Sequence, residues 1–127
     1  MKLTALTAIS PIDGRYAAKT AELREFFSEY ALIRYRVYVE IEWLKCLAAH
    51  ESIAELEPFN DEALCALDAI ATQFDERDAE RVKEIEAKVN HDVKAVEYFI
   101  KERLAAHPSL QSIGEFTHFA CTSEDIN

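Results

Sequence analysis

Three short polar clusters in this chain contain residue types that can bind anions, and each lies where a segment is expected to begin or turn. They are Asp13-Gly-Arg-Tyr16, Asn90-His-Asp92 and Thr122-Ser-Glu-Asp125. The free N–H groups and the dipole at a helix start attract carboxylates and phosphates. Taken singly, each cluster is more simply explained by surface side chains or ordinary helix caps. The local chemistry therefore predicts three candidate anion sites, but it does not predict which ligand binds them.

The first cluster places Arg15 beside Tyr16 in a segment that Pro11 and Gly14 keep out of a helix. A guanidinium can make paired, charged hydrogen bonds to a phosphate, and a phenol can add one more. The alternative is a surface arginine next to a half-buried tyrosine.

The second cluster is predicted to start a helix, with Asn90 as its cap and the helix beginning near His91 or Asp92. His91 could donate to a substrate carboxylate or phosphate, and Asp92 could fix its tautomer or hold a ligand hydroxyl. The alternative is a pair of capping residues around an exposed histidine. No metal site is predicted, because no second histidine or acidic ligand has the required spacing.

The third cluster is predicted to start a further helix, with Thr122 as its N-cap. Thr122 and Ser123 offer two hydroxyls and the neighbouring N–H groups to a carboxylate. Ser123 is not expected to act as a nucleophile, because the sequence places no base next to it. His118, five residues earlier, is interpreted as a core histidine.

The elements that must position these clusters are predicted to be helices, which gives an all-α fold class. One long helix is expected from Thr20 to Ala49. Its apolar residues recur in steps of three or four, namely at Phe26, Tyr30, Ile33, Val37, Ile41, Leu44 and Ala48. Further apolar residues lie beside this stripe, at Phe27, Tyr35, Tyr38 and Trp43. A helix that is apolar on more than one side should be central.

Several shorter helices are expected after Pro58. One runs from Asp61 to about Phe74 with Asn60 as its cap, and a charged one follows from Asp78 to Val89. The helix after Asn90 buries Val93, Val96, Ile100 and Leu104 and ends before Pro108. Between Ser109 and Cys121 the spacing favours a short helix.

Composition narrows the possible functions. The 127 residues include 24 acidic and 14 basic side chains, so the net charge of −10 argues against nucleic-acid binding. The two glycines, Gly14 and Gly114, are too far apart for a glycine-rich phosphate loop. No apolar run approaches the roughly 18 residues of a membrane span, and no signal peptide is expected.

The three cysteines indicate the compartment. They lack a CxxC pair, and Cys46 and Cys65 are expected to be buried free thiols because leucines and alanines surround them. Free thiols are typical of a reducing compartment, which predicts a cytoplasmic protein.

Taken together, the motifs resemble those of the adenylosuccinate lyase family, in the fumarase/aspartase superfamily and closest to its bacterial branch. The matching segments are Ser10-Pro-Ile-Asp-Gly-Arg-Tyr16, Asn90-His-Asp-Val-Lys-Ala-Val-Glu-Tyr-Phe99 and Glu115-Phe-Thr-His-Phe-Ala-Cys-Thr-Ser-Glu-Asp-Ile-Asn127. The resemblance implies that residues 1–111 form the N-terminal helical domain of this fold. Residues 112–127 would then begin the central helical-bundle domain.

The resemblance also implies a function in purine nucleotide biosynthesis. The family cleaves adenylosuccinate to AMP and fumarate, and it cleaves the succinylated aminoimidazole carboxamide ribotide (SAICAR) to AICAR and fumarate. Both reactions are general acid–base eliminations that need no metal or organic cofactor. Family members are homotetramers with shared active sites.

Carried over by motif, Arg15 and Tyr16 would contact the nucleotide, with Arg15 on its phosphate. Asn90, His91 and Asp92 would line the site, with His91 bonding to the substrate in an assisting role. Thr122 and Ser123 would bind a succinyl carboxylate.

The proton-transferring residues of the family would lie beyond this chain, so we expect the 127 residues to be inactive alone. The sequence is also compatible with two other hypotheses. The chain could be a stand-alone helical binding module that uses its acidic face, since 18 of the 24 acidic residues follow position 50. It could also belong to a sibling lyase that releases fumarate from another substrate, although an arginine–tyrosine phosphate site argues against this.

Overall fold

A computed structural model describes residues 2–127 of the chain. Every regular element among these residues is helical, so the predicted all-α class is confirmed. The α-helices are α1 (Arg24–Phe27), α2 (Glu29–Ala49), α3 (Asp61–Thr72), α4 (Glu76–Val89), α5 (Asp92–Ala105) and α6 (Ser123–Ile126). Two short 3-10 helices cover Ala21–Leu23 and Gly114–Phe116.

The described chain divides into two compact units, and the division falls within α2. The first unit ends at Leu32 and the second spans Ile33–Asn127. This division does not test the domain boundary predicted near Gln111, which stays a prediction. Over residues 2–127, no helix combines the length and the apolar character that crossing a membrane requires.

The prediction of one unbroken helix from Thr20 to Ala49 is wrong at its start. Ser28 has an extended backbone (φ −82°, ψ 166°), which interrupts the helical path between α1 and α2. Its hydroxyl accepts a hydrogen bond from the Ala31 N–H at 3.1 Å and donates one to the Arg24 carbonyl at 2.5 Å. Serine is a favoured helix cap because its oxygen satisfies a free N–H group at the helix start. The local capping preference of Ser28 thus overrides the apolar spacing around it.

The core of the second unit follows the predicted apolar spacing. In α2 the buried residues include Ile33, Val37, Ile41, Leu44 and Ala48. In α5 the predicted face is buried, with Val93, Val96, Ile100 and Leu104 all at most 2% exposed. The second apolar side of α2 is exposed, since Tyr35 and Tyr38 are 41% and 49% accessible.

Helix α4 packs against α5 and is joined to it by ion pairs. Arg81 makes two hydrogen bonds to the Glu102 carboxylate, at 3.0 and 2.7 Å, and Arg103 pairs with Asp78. The start of α4 is closed by a capping box in which Asp75 and Asp78 satisfy each other's N–H groups. This start lies two residues before the predicted one, because Asp75 rather than a later residue caps the helix.

Two further sequence expectations need correction. Cys46 and Cys65 are exposed, because each lies away from the buried side of its helix despite apolar neighbours in sequence. The segment from Ser109 to Cys121 forms turns around a single 3-10 turn instead of a short α-helix. His118 and Ala120 have positive φ angles of 63° and 60°, which stop a regular helix there.

Candidate functional site

The arginine–tyrosine segment lies in the first unit as a tightly bonded turn. The Ser10 N–H donates to Asp13 Oδ1 at 2.8 Å, and the Tyr16 N–H donates to the Pro11 carbonyl at 2.9 Å. A side chain at Gly14 would begin 2.7 Å from the Ala5 carbonyl oxygen, so only glycine fits there. The predicted turn at this place is confirmed.

Arg15 and Tyr16 contact each other within this turn. The guanidinium carbon of Arg15 lies 4.7 Å from the centre of the Tyr16 ring, within the range of a cation–π interaction. Tyr16 is 40% exposed and Arg15 is also exposed. The two side chains predicted to act together are adjacent and reachable by a ligand.

Asn90 ends one helix and does not start the next, so the prediction that it caps α5 is wrong. Its backbone is left-handed (φ 53°, ψ 39°), and its N–H donates to the Glu86 carbonyl at 2.8 Å. Asparagine tolerates this conformation better than most residues, which suits it to the end of a helix. Because only two residues separate α4 from α5, the capping of α5 falls to His91.

His91 caps α5 through its ring. Its Nδ1 accepts the Lys94 N–H at 3.1 Å, so in the neutral ring the proton is on Nε2. The side chain is 53% exposed, which leaves Nε2–H available as a donor. Asp92 Oδ1 is 3.8 Å from Nδ1, too far for a hydrogen bond. The helix backbone, and not Asp92, therefore fixes the tautomer of His91.

Asp92 pairs instead with Arg36, a residue that the sequence reasoning missed. Arg36 is only 6% exposed; one terminal nitrogen lies 2.9 Å from Asp92 Oδ2, and the other donates to Asn127 Oδ1 at 2.5 Å. Burial raises the pKa of Asp92, but the Val93 N–H and Arg36 outweigh it and hold this pKa below its usual value. Arg36 thus joins the start of α5 to the end of α6.

Glu40 and His118 form a second pair that the sequence reasoning missed. His118 Nδ1 lies 2.5 Å from Glu40 Oε1, and the His118 N–H donates to Glu40 Oε2 at 3.0 Å. The glutamate side chain is fully buried, whereas the histidine side chain is one-fifth exposed. Burial raises the pKa of Glu40 above its usual value, although the contacts with His118 oppose this.

A signal for both pairs was present in the sequence. Arg36 and Glu40 follow Ile33 and Val37 by three positions, so they lie on the buried side of the same helix. A charged side chain in such a position needs a partner. Trp43 continues this side of α2, because its Nε1–H donates to the Phe119 carbonyl at 2.8 Å.

Thr122 begins α6, which confirms its predicted position as N-cap. Asp125 Oδ2 accepts both the Thr122 N–H at 2.7 Å and the Thr122 hydroxyl at 3.0 Å. These two hydrogen bonds hold the pKa of Asp125 below its usual value. A carboxylate of the chain itself therefore uses the donors of Thr122 that were predicted to bind a ligand carboxylate.

Within the second unit, one side of α2 holds several segments that carry candidate residues. Arg36 binds the start of α5 and the end of α6, while Glu40 and Trp43 bind residues 118 and 119. Arg15 and Tyr16 belong to the first unit. These features define a helical domain that presents polar side chains at helix starts and turns, together with one buried carboxylate–histidine pair.

Comparison with known proteins identifies the family. Residues 14–127 match a family model described as Lyase, so the chain belongs to this lyase family. It is 61% identical over its whole length to the adenylosuccinate lyase of Vibrio cholerae serotype O1, and 57% identical to that of Escherichia coli K12. The adenylosuccinate lyase of Haemophilus influenzae is 54% identical. The chain spans 28% of the length of each of these relatives.

Proposed function

We propose that this chain is the N-terminal part of an adenylosuccinate lyase that acts in purine nucleotide biosynthesis. The full-length protein would cleave adenylosuccinate to AMP and fumarate, and SAICAR to AICAR and fumarate. The observation that carries the proposal is the match to adenylosuccinate lyases along all 127 residues, at up to 61% identity. The reaction would be a general acid–base elimination without a metal or organic cofactor.

In this proposal the chain binds and orients the substrate, while residues elsewhere in the protein move the protons. The substrate carries a phosphate and carboxylates, and the chain carries a net charge of −10, so binding needs local donors. Arg15 would take the phosphate with Tyr16 beside it. Their mutual contact at 4.7 Å supports this assignment, because the ring limits the motion of the guanidinium.

The remaining assignments concern the helix starts. His91 would donate through Nε2–H to the substrate, and its neighbours Asn90 and Asp92 would complete that part of the site. Thr122 and Ser123 would bind a succinyl carboxylate. The side chain of Asp125 already accepts the hydrogen bonds of the Thr122 N–H and hydroxyl groups. A bound carboxylate would therefore either displace the Asp125 carboxylate from Thr122 or bind to Ser123 instead.

The larger protein would have further properties. It would be a cytoplasmic homotetramer with shared active sites, and the helical domain would end near Gln111. The 127 residues alone would be inactive. A sibling lyase that releases fumarate from a substrate without a phosphate would not need Arg15.

The test is an assay of the full-length protein with adenylosuccinate and SAICAR, in which AMP, AICAR and fumarate are separated and quantified. We expect both substrates to be cleaved, and an Arg15→Ala variant to lose at least tenfold in kcat/KM. Lys19→Ala is the matched control, because Lys19 is a second cation near the same ring, 5.8 Å from its centre. Absence of cleavage rejects the function, and equal effects of the two variants reject the role of Arg15.

A further inference from the structure

The pair formed by Glu40 and His118 has no assigned role in the proposed reaction. Glu40 is fully buried, whereas one-fifth of the His118 side chain reaches the surface. The contact uses both carboxylate oxygens: Oε2 accepts the His118 N–H at 3.0 Å, and Oε1 lies 2.5 Å from Nδ1. A carboxylate held by both the backbone and the ring of one histidine fixes the orientation of that ring.

The backbone of His118 is shaped for this contact. Its φ angle of 63° is in the left-handed region, which is sterically unfavourable for a residue other than glycine. The conformation is held by Glu40 and, one residue later, by the hydrogen bond from Trp43 to the Phe119 carbonyl. Strain of this kind persists where the surroundings hold the residue in place, and it is frequent at functional sites.

The geometry also determines where the protons are. A separation of 2.5 Å between a carboxylate oxygen and a ring nitrogen requires a proton between them. When the ring is neutral and Glu40 is ionised, that proton belongs to Nδ1. Nε2 then has a lone pair and acts as an acceptor. The other tautomer would place two lone pairs against each other inside the protein.

The charged groups around the pair do not supply a competing partner. Glu97 and Cys121 are close enough to interact with Glu40 electrostatically, and Asp125 interacts with His118. Glu97 is engaged with Lys94 at 2.7 Å and Lys101 at 3.2 Å. Glu40 is thus the carboxylate in contact with the ring.

We propose that Glu40 is a positioning residue of the lyase site, which orients His118 and makes the neutral ring present an unprotonated Nε2. Nε2 is then a hydrogen-bond acceptor for a donor group of a bound ligand. His91 is the complement, because its neutral ring presents Nε2–H. His91 and His118 therefore offer opposite hydrogen-bonding characters to a ligand.

Replacing Glu40 by glutamine should reverse the tautomer. The His118 N–H can only donate, so it takes the single oxygen of the glutamine amide. The amide NH₂ then faces Nδ1, which must accept, and the proton moves to Nε2. Glu97→Gln is the matched control, since it alters another buried glutamate that does not contact His118.

The first measurement is the ¹⁵N NMR spectrum of histidine-labelled full-length protein, at a pH where the rings are neutral, with His118 assigned by its loss in His118→Ala. We expect Nδ1–H in the wild type and in Glu97→Gln, and Nε2–H in Glu40→Gln. Nε2–H in the wild type overturns the proposal, even if no Glu40 variant folds. This measurement does not depend on the proposed reaction.

The second measurement is a double-mutant cycle on kcat/KM for adenylosuccinate, and it rests on the proposed function. We expect Glu40→Gln to lower kcat/KM at least tenfold in the wild type and less than twofold in a His118→Ala background, because Glu40 acts through His118. Equal losses in both backgrounds would mean that Glu40 is merely structural. If the full-length protein cleaves no substrate, the proposed function is wrong. The NMR result would still decide whether Glu40 orients His118.

Discussion

Replacing Arg36 by methionine should loosen α6 and the start of α5 without disturbing the rest of the second unit. Methionine keeps an unbranched apolar side chain in the buried position, so the change removes mainly the charge and its hydrogen bonds. The lost contacts are those to Asp92 at 2.9 Å and Asn127 at 2.5 Å.

The size of the effect follows from burial. Hydrogen bonds to charged groups contribute about 1.5–3 kcal/mol each when both partners are buried. Asp92 is half exposed and Asn127 is exposed, so each bond is closer to about 1 kcal/mol. The buried Nε of Arg36 has no acceptor among the described residues, and its removal offsets part of the loss. The net cost is about 1–2 kcal/mol, a factor of about 5–30 in an opening equilibrium.

Hydrogen exchange of the full-length protein, measured by mass spectrometry, reports such local opening directly. We expect the amides of α6 to exchange about 5–30 times faster in Arg36→Met. Arg81→Met is the control, because Arg81 makes two hydrogen bonds to Glu102 at the exposed surface between α4 and α5. If α6 exchanges at the wild-type rate, or equally fast in both variants, the argument that Arg36 holds these segments together is refuted.

Three further predictions concern the helix junction and the buried pair. His91→Asn keeps an acceptor for the helix cap, whereas His91→Ala should lose about 1 kcal/mol of stability. If the ring binds substrate, both variants should lower kcat/KM at least tenfold. If only His91→Ala lowers kcat/KM, His91 acts as a helix cap and does not bind substrate. Asn90→Gly should leave the thermal midpoint unchanged and Asn90→Ala should cost about 1 kcal/mol, because φ is 53°; equal midpoints would contradict this account. The raised pKa of Glu40 contributes stability that is complete below its ordinary value of about 4.5 and is lost as the pH rises through the folded value. The thermal midpoint, measured as a function of pH, should therefore fall less above pH 4.5 in Glu40→Gln than in the wild type. Parallel pH curves for the two proteins would show that Glu40 does not contribute to the pH dependence of stability.

The features that could be predicted from the sequence are those encoded by local spacing and capping. The buried faces of α2 and α5, and the caps at Asn60 and Thr122, depend on residues within one or two turns of each other. The break at Ser28 was missed because an apolar ladder and a capping serine favour different backbones at the same place. The role of Asn90 was missed because only the length of the junction decides whether an asparagine ends one helix or starts the next.

The pairs made by Arg36 and Glu40 could not be predicted, because the partners are far away in sequence. Asn127 lies 91 positions after Arg36, and His118 lies 78 positions after Glu40. What the sequence does contain is the position of each charge on the buried side of α2. Burying a charge without a partner costs more free energy than the fold can sustain, so such a position implies a distant partner even when the partner cannot be named. In this chain those partners lie at the segments that carry the candidate site, which makes α2 the element that couples the geometry of His118 to that of Asp92.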